Sequence, residues 1–171
     1  LISTSPGLRN TEYRHVAKPW TLCASNSNIS FMEVPKKILH EIADYLECGF
    51  VCYLHRDTFE VVAFPDPDQS LTMDTEVWKK DISKVRRSQK KFIEIENMTS
   101  TDGFKVMEEF VDTLSNSSTK IRLLTALEGR KPFANFKFQI DNSGEYRELW
   151  FTFKRQKNIE WIQSQINFVA N

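Results

Sequence analysis

The sequence predicts an α+β fold: a small antiparallel sheet of about three strands with flanking helices, followed by a helical C-terminal half. Three observations carry this. Two β-branched and aromatic runs, 50–55 and 58–64, follow each other with only Arg56-Asp57 between them, which is a hairpin pattern. A third run, 91–96, alternates polar and apolar residues, as a half-buried strand does. From Ser100 onward every apolar repeat has helical spacing.

Pro35 suits a first helical turn because it has no amide hydrogen to leave unpaired. Ile38, Leu39, Ile42, Tyr45 and Leu46 repeat at helical intervals, and Gly49 can close the helix in the left-handed region, so a helix is expected over 36–48. The hairpin turn is either two residues, for which Arg-Asp is a poor primed pair, or a four-residue loop. Pro65-Asp66-Pro67-Asp68 ends the second strand, since Pro cannot pair inside a sheet. Asp74 or Thr75 can cap a helix to about Ser88, with Trp78, Ile82 and Val85 on its apolar side. In the third strand Ile93 and Ile95 share one face and Phe92 falls out of phase.

Phe104, Met107, Val111 and Leu114 form the stripe of the next helix, with Phe110 beside it. Ser115-Asn116-Ser117 interrupts and can cap a helix carrying Ile121, Leu124 and Leu127 and ending at Gly129. Pro132 opens another, with Phe133, Phe136 and Ile140 inward. Asn142-Ser143-Gly144 is a turn. The last helix starts near Glu145 with Tyr146, Leu149, Trp150 and Phe153. The apolar spacing lapses over 156–158, predicting a bend, and resumes with Trp161, Ile162 and Ile166. Residues 1–31 lack periodicity and are expected to be a poorly structured extension, with Met32-Glu33-Val34-Pro35 reading as a natural start. Residues 32–171 are expected to form one α+β domain, mixed over 32–98 and helical over 99–171.

The chain has 171 residues, of which 23 are Lys or Arg and 23 Asp or Glu, so its formal charge is zero. Bulk charge therefore supplies no attraction to nucleic acid or anionic lipid. Hydrophobic residues at 40% argue against general disorder. No apolar run reaches the ~20 residues of a membrane helix, and no basic start leads into an apolar signal; a cytoplasmic setting without membrane contact is expected. Cys23, Cys48 and Cys52 form no disulfide framework, and Cys48 and Cys52 are expected to be buried thiols. His15, His40 and His55 show no metal-ligand spacing. Sequons at Asn28, Asn97 and Asn116 carry no meaning without secretion.

The neutrality is a cancellation of blocks. Residues 75–91 hold seven basic and two acidic residues, a net of +5, while 32–74 hold three against nine, a net of −6. Taken as helical throughout, Lys79, Lys80, Lys84, Arg86, Arg87, Lys90 and Lys91 fall within an arc of about 160°, opposite Trp78, Ile82 and Val85; the final residues are expected to pass into the strand, so the arc is an upper value. Such a face, about 20 Å long, suits several phosphates or an acidic protein surface. The competing expectation is a solvated face neutralised by the acidic hairpin region.

Arg130, Lys137 and Arg147 are candidates for binding a carboxylate or phosphate, Arg being suited to bidentate contact. The plain alternative is that Arg130 pairs with an acid such as Glu108. Aromatic and basic residues interleave over 133–138 and 146–155, as in a stacking platform for single strands, although helical spacing favours a core. Glu108 and Glu109 point ~100° apart on a helix and cannot share a proton. Asp66, Asp68 and Asp74 lack the Gly and terminal Glu of a calcium loop. No phosphate-cradling glycine loop and no nucleophile motif is present, so no catalytic residue, metal or cofactor is assigned.

Three phrases agree in order and spacing with one known family: 106–111 through Leu114; Leu124-x-Ala126-Leu127-x-Gly129-Arg130-x-Pro132-Phe133 through Phe136-Lys137; and Tyr146-Arg147 through Trp150-Phe151-x-Phe153. The chain resembles the bacterial uncharacterised protein family 0158 over about residues 32–166. Upstream, Tyr53-Leu54 through Glu60-Val61-Val62 looks like the family's hairpin. Members often carry Thr-Gly-Glu in that turn, where this chain has Thr58-Phe59-Glu60. The resemblance implies a small intracellular bacterial protein with no assigned activity, cofactor or catalytic residue. The function expected is therefore a non-enzymatic binding module for another macromolecule, with a protein as the favoured partner. Nucleic-acid binding through 79–91 and an enzyme with an anion site near Arg130 are the alternatives.

Overall fold

The computed structural model describes residues 32–65, 75–115 and 117–170. The expected extension 1–31, the acidic loop with Asp66, Asp68 and Asp74, and Asn116 lie outside the described residues.

Helix α1 spans Lys36–Glu47 and buries Leu39, Ile42, Ala43 and Leu46. Pro35 is its N-cap, and its carbonyl accepts from the Ile38 amide. Gly49 follows at φ 79° and turns the chain into the sheet. Strands β1 (Phe50–His55), β2 (Val61–Pro65) and β3 (Phe92–Ile95) are antiparallel in the order β2-β1-β3. The expected three-strand sheet is thus present.

The hairpin loop is longer than either expected form. Residues 56–60 bridge the strands, closed by His55 N–H to the Glu60 carbonyl and Phe59 N–H to the His55 carbonyl. Two amides, from Asp57 and Thr58, donate to His55 Nδ1. Phe59 sits at φ 55°, so it takes the left-handed turn that a Gly would take freely. Its half-buried ring packs against the core below, which compensates.

Both sheet faces are covered. The register puts Cys52, Leu54, Ile93 and Ile95 on one face, where they meet α1 and, from the C-terminal helix, Ile162 and Ile166. Val62, Phe64 and Phe92 lie on the other, under Val85, Trp78 and Ile82. Phe92 was out of phase in sequence for that reason: it serves the opposite layer. That second layer is helix α2 (Thr75–Arg87), followed by a 3-10 turn at Gln89–Lys91.

The C-terminal half is helical: α3 (Ser100–Thr113), α4 (Ser118–Glu128), α5 (Pro132–Asp141) and α6 (Glu145–Ala170). Thr99 caps α3, accepting from the Asp102 amide and donating its hydroxyl to the Asp102 carboxylate at 2.6 Å. Ser117 caps α4 by accepting from the Lys120 amide. Phe110 and Phe136 centre the core, with Met107, Val111, Leu123 and Ile140 around them. Phe110 belongs to the middle of the α3 stripe rather than beside it.

Two helices present other faces than expected. On α4, Leu123 is fully buried while Ile121 is 66% exposed and Leu124 40%. Two helical stripes compete there, and packing against α3 and α5 selects the one through Leu123 and Leu127. On α5, Phe136 and Ile140 are buried but Phe133 is 46% exposed; on α6, Leu149 is exposed.

The lapse expected to mark a bend at 156–158 does not interrupt the helix. Helix α6 runs unbroken for 26 residues, and holds neither Pro nor Gly. The lapse in spacing is a change of face. At ~100° per residue, Tyr146, Trp150 and Phe153 lie on one side and Ile159, Ile162 and Ile166 about 180° away. The first set packs into the helical core, the second onto the sheet core. Across the switch the contacts are polar: Lys157 Nζ to Glu109 at 2.8 Å and Asn158 Nδ2 to Glu47 at 3.2 Å. Among the described residues no helix is long and apolar enough to cross a membrane.

At the α4–α5 junction Gly129 ends the helix in an extended conformation, and the left-handed residue is Lys131 (φ 91°, ψ 58°). That conformation costs a non-glycine residue about 1–2 kcal/mol, partly offset because Gly loses more entropy on folding. Lys131→Gly is expected to raise stability by roughly 0.5–1 kcal/mol in a urea melt. An unchanged or lowered midpoint would show that Lys131 bears no strain.

Candidate functional site

The basic residues start on a helix whose inner side is committed. Trp78, Ile82 and Val85 hold α2 to the sheet, so residues between them must face water. Lys79, Lys80, Lys84, Arg86 and Arg87 do so, all exposed. The helix stops after Arg87, where Ser88 N–H reaches the Val85 carbonyl and Lys91 N–H the Ser88 carbonyl. Lys90 and Lys91, also exposed, therefore leave the helix line on the 3-10 turn. The helical part of the face, Lys79 to Arg87, is about 12 Å long at ~1.5 Å per residue. The continuous face that full helicity would give is an upper bound, as expected: the last residues turn toward the strand, leaving a shorter helical face with a two-lysine extension. The break is the Phe92 strand: the Lys91 carbonyl already accepts from Arg56 N–H at 2.8 Å, beginning the β1–β3 pairing.

Self-neutralisation is partial. Lys79 pairs with Glu76 one turn back at 3.1 Å. Lys84 pairs with Glu60 from the hairpin loop. This second pair is the expected contact between the acidic hairpin region and the basic helix. Among the described residues no carboxylate pairs with Lys80, Arg86, Arg87, Lys90 or Lys91. Both pairs that do form are exposed, so each contributes little, about 0–1 kcal/mol.

The anion candidates are not gathered. Lys137 and Arg147 converge on Asp141, Lys137 Nζ at 2.9 Å and Arg147 Nε at 3.4 Å. The Lys137 hydrogen bond foremost, with Arg147 behind it, holds the Asp141 carboxyl below the usual carboxylate range. Arg147 also lies over the Phe151 ring at 4.7 Å and reaches Glu148. An incoming anion would compete with Asp141. Arg130 is exposed at the α4–α5 junction and makes no ion pair with Glu108, which is also exposed. The Lys137–Asp141 pair was legible as an i,i+4 spacing.

The interleaved aromatics divide. Phe136, Trp150 and Phe153 pack around Phe110, with ring centroids 5.2 Å apart for Phe110 and Trp150 and 4.9 Å for Phe136 and Trp150. Phe133, Phe138 and Phe151 face solvent. Glu109 takes Lys157, and this hydrogen bond foremost raises the Lys157 ammonium above its ordinary range. Lys157 thus touches two carboxylates, Glu109 and Glu160, a link between α3 and α6 that no local spacing reveals.

One of the two cysteines expected to be buried is exposed: Cys48 caps the outer end of α1, while Cys52 is sealed in the sheet core. Burial pushes the Cys52 thiol up to about 12, which makes it inert at neutral pH.

A family model described as Uncharacterised protein family (UPF0158) matches residues 68–171, more than half of the chain. The matched stretch includes α2, β3 and all of the helical half, and it begins after the hairpin. No curated protein and no solved structure matches.

Proposed function

The chain belongs to the Uncharacterised protein family (UPF0158), and from that premise we propose that it is a cytoplasmic, non-enzymatic α+β module that binds an acidic surface of another protein. One observation carries the reading: Lys80, Arg86, Arg87, Lys90 and Lys91 are exposed and unpaired among the described residues, on a rigid helix–turn anchored to the sheet. A cationic patch held on a packed scaffold contributes to encounter rate and partner choice without needing to reorganise.

The test is a fluorescence-anisotropy titration of labelled poly-L-glutamate, repeated with a variant carrying Lys80→Glu, Arg86→Glu, Arg87→Glu and Lys90→Glu. The wild type should bind at low salt, and the variant should bind at least about tenfold more weakly. All four side chains are exposed, so the variant should keep the wild-type melting midpoint. Equal binding by both proteins would end the proposal. The same face also favours a second reading, a nucleic acid, because five cations can meet several phosphates. A DNA duplex would then outcompete poly-L-glutamate, and log K would fall against log salt with a slope near −4 to −5, about −0.9 per phosphate contacted.

A further inference from the structure

We propose that the cleft between the sheet half and the helical half binds a free amino acid with a bulky apolar side chain. The cleft encloses about 370 Å³ and is lined from five segments: the end of α1, the β3–α3 connection, α3, α5 and α6. Ligand pockets run from ~300 to 1,000 Å³, so this one suits a small metabolite rather than a nucleotide. Its wall is mostly apolar, with Met107, Phe133, Trp150 and Trp161 supplying the bulk. A ligand seated there must therefore bury an apolar body.

The polar end specifies the head group. Glu47 and Lys154 line the same cleft and face each other at 3.4 Å, longer than the 2.7–2.9 Å of a tight charge-assisted bond. Both are about two-fifths exposed. Glu47 Oε1 also accepts from Asn158 Nδ2, and among the described residues no hydrogen bond reaches its Oε2. Among the described residues the pair therefore keeps an unused acceptor on one side and unused donors on the other. An ammonium fits Glu47 and a carboxylate fits Lys154. An α-amino acid presents both charges on one carbon. A simple acid would be repelled by Glu47 and a simple amine by Lys154, and a peptide terminus carries only one of the two charges.

Gly103 is a second, independent observation. It lies at the fourth position of α3, where its amide makes the first bond of the helix, to the Thr99 carbonyl, and Gly is disfavoured relative to Ala in a helix. A Cβ there would meet only Phe133 Cε1, at an ordinary 3.6 Å. Packing does not demand the glycine, yet its bare position borders the cleft and leaves it open.

The experiment follows the indole N–H signals of Trp150 and Trp161 in ¹H–¹⁵N spectra of the full chain, assigned by Trp→Phe variants, as L-phenylalanine is added. 3-Phenylpropanoate, 2-phenylethylamine and glycine are the comparison probes, lacking the ammonium, the carboxylate and the side chain. L-Phenylalanine should give saturable shifts, with an affinity at least about tenfold above every comparison probe. Gly103→Leu should abolish the shifts and Gly103→Ala should keep them. Should Gly103→Leu fail to fold, Lys154→Met at its half-exposed position is used instead, and it should erase the preference for L-phenylalanine over 2-phenylethylamine. The proposal is overturned if no shift saturates by about 10 mM. It is equally overturned if all aromatic probes bind alike, or if the substituted protein keeps wild-type selectivity. The cationic face on α2 plays no part here, so either proposal can fail without the other.

Discussion

Phe110→Ala is expected to destabilise the protein by about 3–5 kcal/mol, the range for truncating a buried aromatic. Phe110 is 2% exposed and touches three rings: Trp150 at 5.2 Å, Phe153 at 5.5 Å and Phe136 at 6.5 Å. Truncation removes its transfer free energy and three edge or tilted ring contacts, and leaves a cavity walled by side chains on separate helices that cannot close in together. Typical domains hold only about 5–15 kcal/mol in total, so the variant should be partly unfolded at growth temperatures. Urea unfolding followed by circular dichroism and by tryptophan fluorescence measures the loss. A cost under about 1.5 kcal/mol, the level of a tolerated volume-conserving swap, would mean that the helical core is not centred on this residue.

Asn158→Pro is expected to cost about 3 kcal/mol or more, because proline removes an amide hydrogen bond and clashes with the preceding turn. The position is chosen for its place in α6. Helix α6 is a shared spine, with Tyr146, Trp150 and Phe153 in one core and Ile159, Ile162 and Ile166 in the other. A kink at the switch forces one set out of register with its partners. Asn158→Ala is the control: it loses only the half-exposed bond to Glu47, about 0.5–1.5 kcal/mol. Both cores should loosen together in the proline variant, which hydrogen exchange resolves by comparing amides of α1 with amides of α3. If only the sheet side loosens, α6 does not couple the halves. If neither loosens, its continuity through 156–158 is not needed.

Much of this architecture was legible in short windows of sequence. The cap at Ser117, the stop at Gly49 and the alternation in the strands each depend on neighbours within a few residues. Backbone preference acts over that range. The family phrases after Ser100 are of the same kind, and the family match covers them. Faces were less legible. Ile121 and Leu123 both lie on acceptable helical stripes, and nothing within α4 distinguishes them. The hairpin turn was misjudged because Phe59 accepts a left-handed conformation, compensated by packing against a core assembled from distant segments.

The candidate sites divide along the same line. That seven cations share one stretch of chain, 79–91, was visible in residue order. Which of them stay uncovered depended on Glu60 approaching Lys84 from the hairpin loop, and the anion candidates were decided likewise, by Asp141 pairing with Lys137 and Arg147 but not with Arg130. The cleft left no mark in any window, since Glu47 and Asn158 are 111 residues apart and Trp150 has a local role in the helical core.

By itself the sequence determined the element types, their order, the three-strand sheet followed by helices, and the family. The tertiary structure alone decided that α6 reverses its buried face, that five cations remain unpaired among the described residues, and that a cleft bearing Glu47 and Lys154 opens between the halves. Local elements follow from steric and hydrogen-bonding preferences that decay within a turn or two. Burial and charge pairing depend on which remote surfaces meet, and that is settled only when the elements pack.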